Sequence, residues 1–145
     1  MALAVHLHAI VSLPPDLAPF PARTLTDLLR EAGVPDEGEV HCILTDDAEL
    51  AELNERFRGR LGPTDVLAFP YDASAGSGVH GDIYVSRDRA REQAAERGEP
   101  EGREVWRLFV HGALHLAGRD HDTDEADRVM RAAQEAWVER GYGAR

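Results

Sequence analysis

Lysine is absent from this chain: all 16 basic residues are arginine. Arginine is the better partner for bidentate phosphate contacts, but a compositional bias of the genome gives the same count. Cysteine is almost absent. Cys42 stands alone, so no internal disulfide forms, which is compatible with a reducing cytoplasm. No apolar run approaches the ~20 residues of a membrane span. The opening "MALAVHLHAIVSLPP" lacks a basic region and carries two histidines, so it reads as a first strand and not as a signal peptide. Positive charge is also scarce. A net charge of −11 argues against any general affinity for nucleic acid, whose backbone selects basic surfaces.

What is present is ordinary for a globular protein: 145 residues, 43% hydrophobic and 30% charged, enough for one domain over 1–145 with a real core. The charge is uneven. "PDEGEV", "DDAELAELNE" and "DHDTDEAD" are acidic, whereas "RFRGR" (Arg56, Arg58, Arg60) and "SRDRAR" are locally basic. Nucleic acid, if bound, binds at a local patch against the net field.

Residues 3–12 read as a strand stopped by Pro14-Pro15. "ARTLTDLLREAG" spaces Leu25, Leu28 and Leu29 helically and ends at Gly33. "EVHCILTD" is a second strand, with Val40, Cys42 and Leu44 on one side. Asp46, three residues before Glu49, caps a helix whose stripe is Leu50, Leu53 and Phe57. After the loop "RGRLGP" come the strand "TDVLAFPY", a turn "DASAGSG" and the strand "HGDIYVS". Ser86 caps a helix that closes at Gly98. Helices from about Glu101 to Ala117 and from about Thr123 to Arg140 complete the chain. The pattern predicts an α+β fold: one domain with about four strands in a mixed sheet, helices packed on it, and a metzincin-like central helix.

That central helix, "VWRLFVHGALHLAG", is apolar almost all round and so is buried. His111 and His115 lie one turn apart on one face. Such a pair either satisfies neighbouring polar groups or shares a metal, and the third histidine decides. Gly118 suits the left-handed residue that ends a helix, letting the chain turn His121 back to the other two. Three imidazoles with a fourth position open describe a tetrahedral site, with one zinc ion per chain as the default occupant.

The spacing His-x3-His-x5-His is that of the metzincin proteases, but Gly112 stands where their glutamate base belongs. A residue kept bare there implies close approach, by a strand of the sheet or by substrate. A zinc ion acidifies water without a neighbouring carboxylate. Peptide cleavage still has to protonate its leaving amine, whereas phosphodiester cleavage chiefly needs charge neutralised on phosphoryl oxygens. The missing base shifts the expectation from peptide to phosphodiester.

"HGALHLAGRDH" resembles the H-G-x-L-H-L-x-G-x-D-H signature of the YbeY family, bacterial endoribonucleases that mature ribosomal RNA. "LNERFRGRLGPTDVLAFP" is similar to that family's L-N-x-x-[FY]-R-x-K-x-x-P-T-[DN]-V-L-S-F-P block, and "GDIYVS" to its G-D-I strand. The three motifs run in order over most of Leu53–Asp122. The resemblance implies zinc ligation by His111, His115 and His121, and a catalytic or RNA-contacting role for Arg58. It further implies single-stranded RNA as substrate, maturation of the 3′ end of 16S rRNA, ribosome quality control, and the small subunit and assembly factors as partners. Three positions depart from the pattern: Arg60 replaces a usual lysine, Leu61 a frequent acidic residue and Ala68 a frequent serine.

Read without the family, Arg58 sits in a loop with Gly59 and Gly62, and a solvated surface arginine is the favoured reading. Arg56 and Arg60 beside it are candidate RNA contacts. Asp120 and Asp82 are candidates for orienting a ligand imidazole. Asp65 reads as a turn-to-strand cap, His6, His8, His41 and His80 as structural or solvent-facing, and Trp106 and Trp137 as core. Two alternatives stay open: a metzincin-like zinc peptidase, and a non-catalytic assembly factor whose metal only holds the fold.

Overall fold

The computed structural model describes residues 2–62, 64–70, 79–118 and 123–143. Strand alternation builds the sheet. In β2 (Glu39–Thr45), Val40, Cys42 and Leu44 are fully buried on one side while Glu39, His41 and Ile43 point the other way. β2 lies parallel to β1 (Ala4–Ala9) and to β4 (Val79–Ser86), and β3 (Val66–Pro70) runs antiparallel to β4 at the edge. Among the described residues the order is β1-β2-β4-β3, a mixed four-stranded sheet. The expected first strand is shorter than 3–12. It ends at Ala9 because Ile10 and Val11 both donate to Leu44 O at the end of β2, which turns the chain off the ladder.

Five α-helices are described: α1 (Ala22–Glu31), α2 (Asp47–Arg58), α3 (Arg87–Arg97), α4 (Glu101–Leu116) and α5 (Asp124–Tyr142). The caps stand where side-chain chemistry placed them. Asp46 accepts from Glu49 N at 3.0 Å, Ser86 Oγ accepts from Arg89 N at 3.2 Å, and Gly98 takes φ 67. A 3-10 turn at Pro15–Leu17, absent from the expected elements, seats fully buried Leu17 in the core beside α4.

α4 is the central helix. It packs against β3, β4, α3 and α5 and buries Val105, Trp106, Phe109, Val110 and Ala113 completely. Burying side chains of this size is worth ~1.5–3 kcal/mol each for the larger ones. Trp106 is core, as expected, with its indole donating to Val138 O at 3.2 Å; Trp137 is half-buried under Arg140. α5 runs two residues past Arg140 because Gly141 lets the helix press on the Trp106 ring. Phe57 is a correction. It is 61% exposed, and the inward position is taken by Asn54, which is buried and holds Gly62 O at 3.0 Å. Phe57 instead meets Phe69 edge-on at 5.5 Å.

Candidate metal centre

On α4 the structure brings His111 and His115 together: their Nε2 atoms are 2.9 Å apart. Both rings are half-buried. Gln134 of α5 sets the chemistry of this pair. Its Oε1 lies 2.6 Å from His111 Nδ1, and its Nε2 faces Glu135 Oε2 at 3.3 Å. An amide flipped the other way would oppose two oxygens, so the nitrogen belongs beside Glu135. His111 Nδ1–H therefore donates to Gln134, and His111 Nε2 turns its lone pair toward His115. Ligand atoms ~2.0–2.1 Å from a tetrahedral zinc stand ~3.3 Å from each other. Two convergent imidazole nitrogens a few tenths of an ångström closer fit that donor set. His121 and Asp120 lie outside the described residues, and among those described no group of three or more His, Cys, Asp or Glu is arranged around a common point. Gly118 does take the left-handed conformation, φ 82, at the helix end.

Gly112 is kept bare by the sheet. A Cβ there would fall inside the envelope of Ile83 Cγ2 on β4 and 3.3 Å from Val66 Cγ2 on β3. Gly81 does the same one turn on, where a Cβ would meet Leu116 Cδ2 at 2.5 Å. The two glycines let α4 lie directly on β3 and β4, which carries the histidine pair to the edge of the sheet.

Arg58 reaches the same edge strand from the other side. It ends α2, where Gly59 adopts φ 66, and its Nη2 donates to Ala68 O on β3 at 3.3 Å while the guanidinium sits 5.9 Å from the Phe69 ring. With Phe57, Arg60 and Pro70 it lines an open depression of about 520 Å³. Arg56 and Arg60 are exposed. Asp82 is not brought to the pair. Gly81 and Ile83 face α4, so alternation turns Asp82 to the opposite face of the sheet, in register with His41 and Phe69. Burial, then the charges of Asp82 and Glu49, raise the Tyr84 hydroxyl above its ordinary value on that face. There too His8 Nε2 and His41 Nδ1 meet at 2.8 Å, and Glu39 lies 3.3 Å from both His6 and His41.

Two residues escaped the sequence reading. Arg107, one turn before His111, is 3% exposed inside an apolar helix. It pairs with Glu104, with Glu99 at 2.7 Å and with Glu135 at 2.9 Å. Its hydrogen bond holds the Glu99 carboxyl below the ordinary glutamate range. Burial is the largest influence on Glu135 and pushes it up, but the Arg107 hydrogen bond and charge, the Gln134 hydrogen bond and the Arg97 charge together outweigh it and the net shift is downward. Arg107, His111, Gln134 and Glu135 share the wall of a cavity of about 540 Å³ between α3, α4 and α5. Gln134 left one signal: it is a polar residue between Met130 and Val138 on the buried stripe of α5.

The chain is similar to known proteins over most of its length. The profile of the family described as Endoribonuclease YbeY matches residues 15–141. The Endoribonuclease YbeY of Geobacillus thermodenitrificans is 42% identical over 127 residues, covering 77% of this chain and 81% of that protein. The Chloroflexus aggregans protein of the same name is 44% identical over 123 residues, covering 79% and 80%. The solution structure of TM1509 from Thermotoga maritima superimposes with a TM-score of 0.66 at 30% identity, covering 98% of this chain and 90% of that one.

Proposed function

Because this chain belongs to the Endoribonuclease YbeY family, we propose that it is a metal-dependent endoribonuclease acting on single-stranded RNA. Its work in that reading is maturation of the 3′ end of 16S rRNA and ribosome quality control, in the cytoplasm, with the small subunit and assembly factors as partners. Residues 1–145 form one such domain. No helix among the described residues is long and apolar enough to cross a membrane.

One observation carries the reading: the converging Nε2 atoms of His111 and His115 on a helix seated against β3, the strand that Arg58 grips from its other side. His111 and His115, with His121 as third ligand by the family pattern, would hold a zinc ion. Bound there, the ion supplies Lewis-acid neutralisation of charge on the phosphoryl group. Arg58 supplies a planar fork of donors for the same oxygens. Its bond to Ala68 O is long and exposed, so the guanidinium turns to a phosphate at little cost. Arg56 and Arg60 extend the basic rim along the incoming strand. The likeness to metzincins stops at the ligand helix. The position of their glutamate is Gly112, packed on Ile83, which leaves a peptidase without its base.

The test pairs two variants. The purified protein should carry roughly one zinc-class ion per chain, and His115→Ala should lose it. Arg58→Ala should keep the ion and the melting temperature while cleavage of single-stranded RNA falls ~10²–10³-fold, and Arg58→Lys should restore part of it. An Arg58→Ala protein that cleaves at the wild-type rate removes arginine from the chemistry. A His115→Ala protein that loses only stability supports the structural-metal alternative.

A further inference from the structure

We infer that Gln134 is the positioning residue of the metal centre: through one hydrogen bond it fixes which nitrogen of His111 is offered as a ligand. The inference rests on the reading of His111 and His115 as metal ligands, and it assigns the device that prepares one of them.

An imidazole has two nitrogens and can present either, and rotation of the ring moves the lone pair by several ångströms. A histidine that binds a metal is therefore held by a hydrogen bond at its other nitrogen. The 2.6 Å contact between His111 Nδ1 and Gln134 Oε1 makes that bond. An amide is ambiguous, since it can donate as well as accept, and its orientation has to be imposed from elsewhere. Glu135 imposes it, standing 3.3 Å from Gln134 Nε2. Glu135 is in turn gripped by Arg107, whose Nε lies 2.9 Å from Oε2 and whose Nη2 lies 3.0 Å from Oε1. Arg107 is buried, and Glu99 and Glu104 occupy its remaining donors.

The geometry is a two-rung ladder. Arg107 and His111 are one turn apart on α4, and Glu135 and Gln134 are neighbours on α5. The ionic rung between the helices, its arginine buried and its glutamate half-exposed, orients the amide, and the amide orients the imidazole. A lone glutamine would leave the His111 tautomer open. The ladder leaves one arrangement, with Nδ1 protonated and Nε2 facing His115.

The experiment uses the full-length protein, with cobalt(II) as the probe, titrated against a chromophoric chelator. Gln134→Leu, which fits the apolar stripe but accepts no hydrogen bond, should bind cobalt ~10–100-fold more weakly than wild type. Gln134→Glu, which restores an acceptor, should return affinity to within a few-fold of wild type. A second readout needs no metal. Long-range proton–nitrogen NMR of the neutral ring should show His111 protonated at Nδ1 in wild type and as a tautomer mixture in Gln134→Leu.

Equal cobalt affinity in wild type and Gln134→Leu overturns the inference, as does a wild-type His111 protonated at Nε2. A Gln134→Glu protein as weak as Gln134→Leu overturns it too, since shape and not the acceptor would then matter. His115→Ala is the control for the underlying reading. If it binds cobalt like wild type, the metal assignment fails, and the tautomer spectrum still decides whether Gln134 positions the ring.

Discussion

Gly112→Ala should destabilise this protein, although alanine is the better helix former. The gain in propensity is ~1 kcal/mol. Against it stands the new methyl, which falls inside the envelope of Ile83 Cγ2 and presses on Val66 Cγ2 at 3.3 Å. Carbon atoms prefer ~3.5–4.0 Å, so α4 and β4 must part by about an ångström. Ile83 cannot give way: it is fully buried, stiff at χ1 as a β-branched residue, and carried on a strand flanked on both sides. The overpacking cost belongs at the upper end of its usual range, ~3 kcal/mol. The net loss is ~2 kcal/mol, a fall in melting temperature of roughly 4–8 °C for a chain of this size.

The assay is urea unfolding at constant m-value, completed as a double-mutant cycle with Ile83→Ala. That change alone costs ~2–5 kcal/mol through the cavity it leaves. In the Gly112→Ala background the cavity receives the methyl, so the double variant should be more stable than the sum by ~1 kcal/mol or more. Gly112→Glu, which installs the metzincin glutamate, should be worse than either and should create no peptidase. A Gly112→Ala protein that melts above wild type, or two changes that simply add, would refute the close approach of helix and sheet.

Two further expectations concern charge. Arg107→Met should cost ~3 kcal/mol at neutral pH, because it leaves buried Glu104 with only its longer 3.6 Å contact to Arg97. It should also flatten the acid limb of the stability curve. Glu99 and Glu135 have folded pKa values below the ordinary range, so their contribution is present above about pH 4.5 and fades as the pH falls through the folded values; thermal melts from pH 3 to 7 check the sign. RNA binding in a salt titration should show a modest slope of about −2, as three arginines neutralise ~0.7 counterions each on a single strand. Reversing Arg56 and Arg60 should flatten that slope while reversing Arg128 and Arg131 leaves it alone, and the opposite result would move the RNA surface to α5.

What was legible in the sequence is what neighbours along the chain decide. Asp46 and Ser86 cap their helices, and Gly98 and Gly118 close theirs, because a cap bonds only to backbone a few residues away. Val40, Cys42 and Leu44 share a face because strand alternation is local, and His111 meets His115 because four residues make one helical turn. Even the bare Gly112 announced a close neighbour. Which neighbour was beyond it. Ile83 lies under Gly112, Asp82 turns to the far face, Phe57 stays outside, and Gln134 reaches His111 across 23 residues only once α4 lies on the sheet and α5 beside α4. A one-residue change of strand register would swap Asp82 and Ile83 between the faces. The sequence by itself determined which residues could be ligands, caps and core. Tertiary structure decided which of them touch, because pairing and packing are set by the order β1-β2-β4-β3 and by helices far apart in the chain.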